Sequence, residues 1–226
     1  MQLPFDRGTH ASYTTHPMST HRVNPMLLMP LLRQLKPYLV PLAVAALAIL
    51  AQLSSNSVQH LLRYDREAIL YGETWRLLTG NFLHLGSMHL LLNLAGLGLI
   101  WMFFGARFSH AQWIVIVLVA ALATGLGLLA FTPEVGWYVG LSGALHGYFV
   151  AGCMAEIRLK LREGWWLLIV ITLKLAWEQW HGPMPGTASL AGGEVIVDAH
   201  LFGAIAGLAA ILLKPRSPVT YRATAL

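Results

Sequence analysis

The chain has 226 residues, of which 56% are hydrophobic and 11% charged, and its mean hydropathy is +0.60. A soluble domain carries about 25% charged residues, so this composition speaks against a water-soluble globule and for a helical membrane protein. A net charge of +5 with a pI near 9.6 would suit a nucleic-acid binder, a reading that fails once the basic residues are located along the chain.

Residues 1–36 are polar and unpatterned, with His10, His16 and His21 among Ser12, Pro17, Ser19 and Pro25. With little to bury, they predict a disordered extension, or a start codon placed ahead of a true one at Met18 or Met26. Histidine spacings of six and five fit no compact metal site. The stretch also lacks the shape of a signal peptide.

Six apolar segments follow, at Tyr38–Leu53, Met88–Phe104, Gln112–Phe131, Leu141–Ile157, Trp165–Trp180 and Ala199–Leu213. They predict an all-α membrane protein, a bundle of six transmembrane helices over residues 37–214, with a short cytoplasmic tail at 215–226. With the N-terminus inside, the inner segments hold Arg7, Arg22, Arg33, Lys36, Arg107, Arg158, Lys160, Arg162, Lys214, Arg216 and Arg222. The outer ones hold only Arg63, Arg66 and Arg76, while Lys174 lies within a span. That bias of eleven to three predicts both termini in the cytoplasm and removes nucleic acid as a partner. Cys153 is the single cysteine and sits in an apolar run, which suits packing and leaves no intrachain disulfide.

The loop between the first two spans, Ser54–Ser87, is long for a compact membrane protein. Ser57–Tyr71 mixes apolar and charged residues as an interfacial helix would, and Trp75-Arg76 suits the headgroup boundary. It is either an interfacial anchor or a structured outer loop that braces the bundle and edges an active site. A second outer loop, Gly182–Gly193, has two prolines and four glycines and reads as a mobile segment over the site.

Polar groups inside spans default to a functional reading. Ser142 lies 16 residues before Arg158, roughly 24 Å above the inner charged edge at 1.5 Å per residue. His200 lies 14 residues before Lys214 and Asn93 14 before Arg107, each roughly 21 Å above that edge. His89 is one turn above Asn93 on the same face. All fall at one level in the outer half of a hydrocarbon core about 30 Å thick. A serine hydroxyl and an imidazole brought together there suit acyl transfer, with His200 as base to a Ser142 nucleophile. His146 is the alternative base, but at i+4 from Ser142 it lies one turn deeper on the same helix. The pairs Gly143/Gly147 and Gly203/Gly207 are spaced for close helix approach, and Gly140 permits a tight turn before Ser142. The Ser142 backbone N–H, His89 and Asn93 are candidate donors to the tetrahedral oxyanion. No metal site or cofactor is expected: His84 and His89 are i and i+5, and no carboxylate shares their span.

Three segments together resemble the rhomboid intramembrane serine proteases. They are His84-Leu-Gly-Ser-Met-His89-Leu-Leu-Leu-Asn93, Gly140-Leu-Ser142-Gly143 and Ala199-His200-Leu-Phe-Gly203-Ala-Ile-Ala-Gly207, with Glu73-Thr-Trp75-Arg76 similar to the family's first-loop motif. The resemblance covers about residues 38–214. It implies a six-helix rhomboid-like bundle with a structured first outer loop, a Ser142–His200 dyad, and an oxyanion hole of His89, Asn93 and backbone amides at Gly140, with His84 nearby holding water. Tyr138–Gly147, Lys174-Leu-Ala-Trp177-Glu178-Gln179 and Val197-Asp198-Ala-His200 are further similar to the rhombosortase branch. That branch is associated with bacterial proteins bearing a C-terminal Gly-Gly motif, an anchor helix and a basic tail. It implies a multi-pass protein of the bacterial inner membrane, acting on membrane-anchored substrates from the periplasmic side of the bilayer.

His146, Lys174, Trp177, Glu178 and Asp198 are further candidates to line the site. Lys174 and Glu178, i and i+4 in the fifth span, are either a mutually neutralising pair or a recognition element beside the lateral gate. Asp198 is read as the N-cap of the sixth span, or as a group orienting His200. A general rhomboid protease of other single-span substrates and a non-catalytic chaperone of membrane clients are the alternative functions. A channel or transporter is disfavoured by the lack of internal repeats. Oligomeric state is not legible in the sequence.

Overall fold

In the computed structural model, residues 35–216 are described. Apart from Leu35, Lys36, Pro215 and Arg216, the predicted extension over 1–36 and tail over 215–226 lie outside the described residues.

Helices stand at all six predicted span positions. They are α1 (Leu39–Leu53), α5 (Ser87–Phe104), α6 (His110–Phe131), α7 (Ser142–Arg158), α8 (Arg162–His181) and α10 (Val197–Leu208), the last continued by a 3₁₀ turn over Ala209–Leu212. By length and composition, three helical stretches suffice to cross a membrane: Lys36–Leu53, Ser87–Arg107 and His110–Phe131. Val197–Leu212 is a shorter apolar helix. Outward faces carry Leu42, Leu47, Ile114, Leu118, Val170 and Leu173, all exposed, an apolar mantle that belongs against lipid tails.

The centre of the bundle is α7. Gly143, Ala144, Gly147, Ala151, Gly152 and Ala155 are buried along it, and these small residues let neighbouring helices approach its backbone. A Cβ added at Gly152 would overlap the Phe104 ring of α5. Cys153 is fully buried here, as expected of a packing residue. A capping box starts α6: Ser109 Oγ accepts from the Gln112 N–H at 3.2 Å, and Gln112 Oε1 accepts from the Ser109 N–H at 2.9 Å.

The first outer loop is structured. It folds into α2 (Asn56–Leu62), β1 (Tyr64–Asp65), α3 (Arg66–Leu70) and α4 (Arg76–Thr79). Strand β1 pairs antiparallel with β2 (Trp137–Tyr138), in the register Tyr64↔Tyr138 and Asp65↔Trp137. Asp65 caps α3 by accepting from the Ala68 N–H at 3.3 Å. The Arg66 guanidinium donates to the carbonyls of Leu128, Leu129 and Thr132 at 3.2, 2.8 and 3.4 Å, meeting the negative end of the α6 dipole.

Arg76, read as suited to the headgroup boundary, is buried within the loop. It is 7% exposed and donates to Glu73 Oε2 at 2.6 Å and to the carbonyls of His60 and Arg63 at 2.6 and 3.0 Å. Irregular backbone leaves carbonyls without ladder partners, and a five-donor guanidinium satisfies several at once. Trp75 beside it is 45% exposed. The Gly182–Gly193 loop, read as mobile, contains a turn of helix. Gly186 and Gly192, at φ of +82° and +81°, bracket a short helix α9 (Thr187–Ala191).

Candidate active site

Ser142 is the first residue of α7 and His200 the fourth of α10. Their helices touch backbone to backbone. A Cβ added at Gly143 would lie 2.8 Å from the Ala199 carbonyl oxygen, and one at Gly147 would lie 2.6 Å from that of Gly203. Added Cβ atoms at Gly203 and Gly207 would overlap the carbonyls of Gly143 and Gly147. That approach lets a short serine side chain reach the ring, with Ser142 Oγ 3.0 Å from His200 Nε2. His200 is buried, and its Nδ1 lies 3.0 Å from Glu178 Oε2 on α8. Because a carboxylate can only accept, Nδ1 carries the proton and Nε2 is left to take one from the serine.

The alternative base is engaged elsewhere. His146 Nδ1 donates to the carbonyl oxygen of Ser142 at 2.7 Å, and its Nε2 accepts from Lys174 Nζ at 2.9 Å. Its ring stacks on His200, with centroids 4.2 Å apart and planes 17° from parallel. Lys174 Nζ is also 2.6 Å from Glu178 Oε2, so the i, i+4 pair read from the sequence is formed. Donor atoms of His146, Glu178 and His200 lie within 4.8 Å of one another, a cluster with the composition of a metal site. In this arrangement the chain's own ammonium meets two of those donors.

Asp198 is neither of the things expected of it. The α10 N-cap is Ile196, and Asp198 is the second helical residue, in the first turn, where its charge favours the helix dipole. The carboxylate against His200 comes from Glu178. A signal for it was present: Glu178 is 14 residues from Gly164, roughly 21 Å along its helix, level with His200. Trp177 turns away, 43% exposed and stacked on His181.

On the other side of Ser142, a cavity of about 490 Å³ is lined by His89, Leu85, Tyr138, Gly192, Gly193 and Ile196 among others. His89 Nδ1 accepts from the Leu85 N–H at 3.4 Å, which leaves Nε2–H free to donate. Its ring lies against Gly140, where a Cβ would come within 3.0 Å of Cε1. Asn93 is buried and spends one amide hydrogen on the His89 carbonyl at 2.9 Å, keeping the other. The Ser142 N–H is a first-turn amide without an intrahelical acceptor.

Gly140 differs from the expected oxyanion donor. Its N–H donates to the Gly80 carbonyl at 3.2 Å, and its carbonyl accepts from the Tyr138 hydroxyl at 2.6 Å. Burial pushes the Tyr138 phenol up to about 12, so it remains a donor. With φ at +141°, Gly140 serves the turn that aims Ser142, at an angle L-residues avoid. His84 is buried with both ring nitrogens unpartnered and lines a separate cavity of about 210 Å³ with Asn56, Gln59, His60 and Arg63. Burial, with His89 beside it, pulls its imidazole down to about 3, so it is neutral there.

Residues 71–217 match the Rhomboid domain family. The chain is similar to the rhomboid protease GlpG of Salmonella paratyphi A, 30% identical over 182 residues that make up 76% of this chain and 60% of that protein. It is similar to GlpG of Salmonella choleraesuis at 31% over 166 residues, 70% of this chain and 54% of that protein. The chain therefore spans little more than half the length of the curated relatives it matches.

Proposed function

We propose that this chain, which belongs to the rhomboid family, is an intramembrane serine endopeptidase working through Ser142 and His200. The observation that carries the reading is the 3.0 Å contact between Ser142 Oγ and His200 Nε2 inside a lipid-facing bundle. As Oγ attacks the scissile carbonyl carbon, its proton passes to Nε2. The tetrahedral oxyanion takes hydrogen bonds from the Ser142 N–H, His89 Nε2–H and the second Asn93 amide hydrogen. When the C–N bond breaks, Nε2 returns the proton to the leaving amine, and water then hydrolyses the acyl-enzyme. All six long helices cross the bilayer, both termini are cytoplasmic, and the site opens to the periplasmic face of a bacterial inner membrane. The basic residues on the predicted inner segments support that orientation.

Similarity to the rhombosortase branch narrows the substrate to membrane-anchored proteins with a Gly-Gly pair at the outer end of the anchor. Glycine weakens a substrate helix by about 0.8–1 kcal/mol per residue, so such a segment unwinds readily into a helix-embedded site. A basic tail holds the anchor's far end inside and sets the Gly-Gly pair level with Ser142. The test is purified protein in liposomes with a tagged Gly-Gly-anchor substrate, product ends sequenced. Ser142→Ala, His200→Ala and the double variant each abolish cleavage to a similar extent, since the pair acts as a unit. Cleavage by Ser142→Ala would remove the serine mechanism. Replacing Gly-Gly with Leu-Leu slows cleavage strongly, and an equal rate would return the chain to a rhomboid of other specificity.

A further inference from the structure

Ser142 and His200 are joined by hydrogen bonds to three more side chains in a closed ring. Ser142 Oγ meets His200 Nε2 at 3.0 Å, and His200 Nδ1 meets Glu178 Oε2 at 3.0 Å. The same oxygen accepts from Lys174 at 2.6 Å, Lys174 donates to His146 at 2.9 Å, and His146 returns to the Ser142 carbonyl at 2.7 Å. Glu178 is 2% exposed, and a carboxylate so buried is strongly unfavourable unless paired and hydrogen-bonded. Lys174 supplies the pairing from one turn earlier on α8, and His200 supplies the second bond.

We infer that Glu178 is a positioning residue for His200, making a Ser142–His200–Glu178 triad whose buried charge is balanced by Lys174. The inference rests on the serine-protease reading above. Glu178 holds the imidazole in the tautomer with Nδ1 protonated and keeps Nε2 aimed at Oγ. When Nε2 takes the serine proton, the ring becomes a cation beside a fixed carboxylate. Glu178 stays ionised, Nδ1–H stays on the ring, and the only proton that moves is the one between Oγ and Nε2. Lys174 limits the effect: the carboxylate is already neutralised in the resting enzyme, so it orients the ring without trapping it as imidazolium. His146 stacks on the face of the His200 ring and restrains its plane. Glu178 and Lys174 thus serve the base, in place of the substrate-recognition role that the sequence left open.

The test uses the full chain in liposomes and separates kcat from KM for Glu178→Gln, Lys174→Met and the double variant, with melting temperature measured on each. Glu178→Gln keeps the shape but removes the charge, and leaves the Lys174 ammonium unpaired beside a ring that must become cationic. Its kcat falls on the order of 10²- to 10⁴-fold with KM unchanged, and a fluorophosphonate labels Ser142 more slowly in parallel. The double variant, without the stray ammonium, recovers part of that loss and also serves if Glu178→Gln does not fold. An unchanged kcat in the double variant overturns the inference, as does a change confined to KM. A kcat loss that only tracks a lowered melting temperature overturns it too. Ser142→Ala distinguishes the two failures: if it is inert while Glu178→Gln is fully active, the triad falls and the protease reading stands.

Discussion

Gly147 is a position where a single added methyl group would disturb the active-site geometry. In Gly147→Ala the new Cβ would stand 2.6 Å from the Gly203 carbonyl oxygen and 2.6 Å from Ala120 Cβ, where ordinary contact begins at 3.4 Å. Neither neighbour is the tip of a flexible side chain, so α7 must separate from α10 and α6 by the difference, about 0.8 Å. Carried to the outer ends of these helices, that takes the Ser142–His200 contact from 3.0 Å towards 3.8 Å, beyond hydrogen-bonding range. Overpacking of this kind costs about 1–3 kcal/mol. A misplacement near 1 Å lowers turnover by on the order of 10²-fold. The assay is cleavage of the tagged substrate in liposomes alongside a melting curve in detergent. Gly98→Ala is the control, because nothing lies within 4 Å of the new Cβ and the helix gains propensity. A Gly147→Ala protein with wild-type turnover and melting temperature would refute the claim that backbone contact between α7 and α10 sets the dyad distance.

Two further outcomes are expected. His89→Ala and Asn93→Ala each lower kcat on the order of 10²-fold with KM little changed, as for loss of one oxyanion donor; a rise confined to KM in steady-state kinetics would make them ground-state binding residues instead. Arg66→Met leaves three carbonyls at the end of α6 without their charged donor and destabilises the folded chain by about 1–3 kcal/mol. It is read as earlier melting and faster limited proteolysis in the first loop, and an unchanged profile would show that the guanidinium is dispensable.

Spacing and depth were enough to bring Ser142, His200, His89 and Asn93 to one level from the sequence, because helix rise is fixed by backbone geometry. Rotation about a helix axis is not fixed in that way. Glu178 shared the depth of His200, but nothing in the fifth span said that its carboxylate faces α10 while Trp177 faces outward. Asp198, two residues from His200, looked the better partner by proximity in sequence. A helix turns about 100° per residue, so neighbours at i and i+2 point to opposite sides. The first loop was harder still. Arg76 was drawn inward by carbonyls of irregular backbone at His60 and Arg63, whose need for donors exists only once the loop has its shape. Gly140 was correctly placed at the turn, but its N–H is used by Gly80, a partner 60 residues earlier.

That last contact, with the two-residue ladder between β1 and β2, has a consequence for the order of assembly. The turn that aims the nucleophile is held by Gly80 and Tyr64, and the base arrives from a helix 58 residues further along. During synthesis Ser142 therefore emerges before His200, beside a loop already made and a partner not yet present. On the proposed mechanism, a half-inserted chain holds the serine without its His200 partner. Hydrolysis by that serine requires α10 docked on α7, so that docking is itself the activation step.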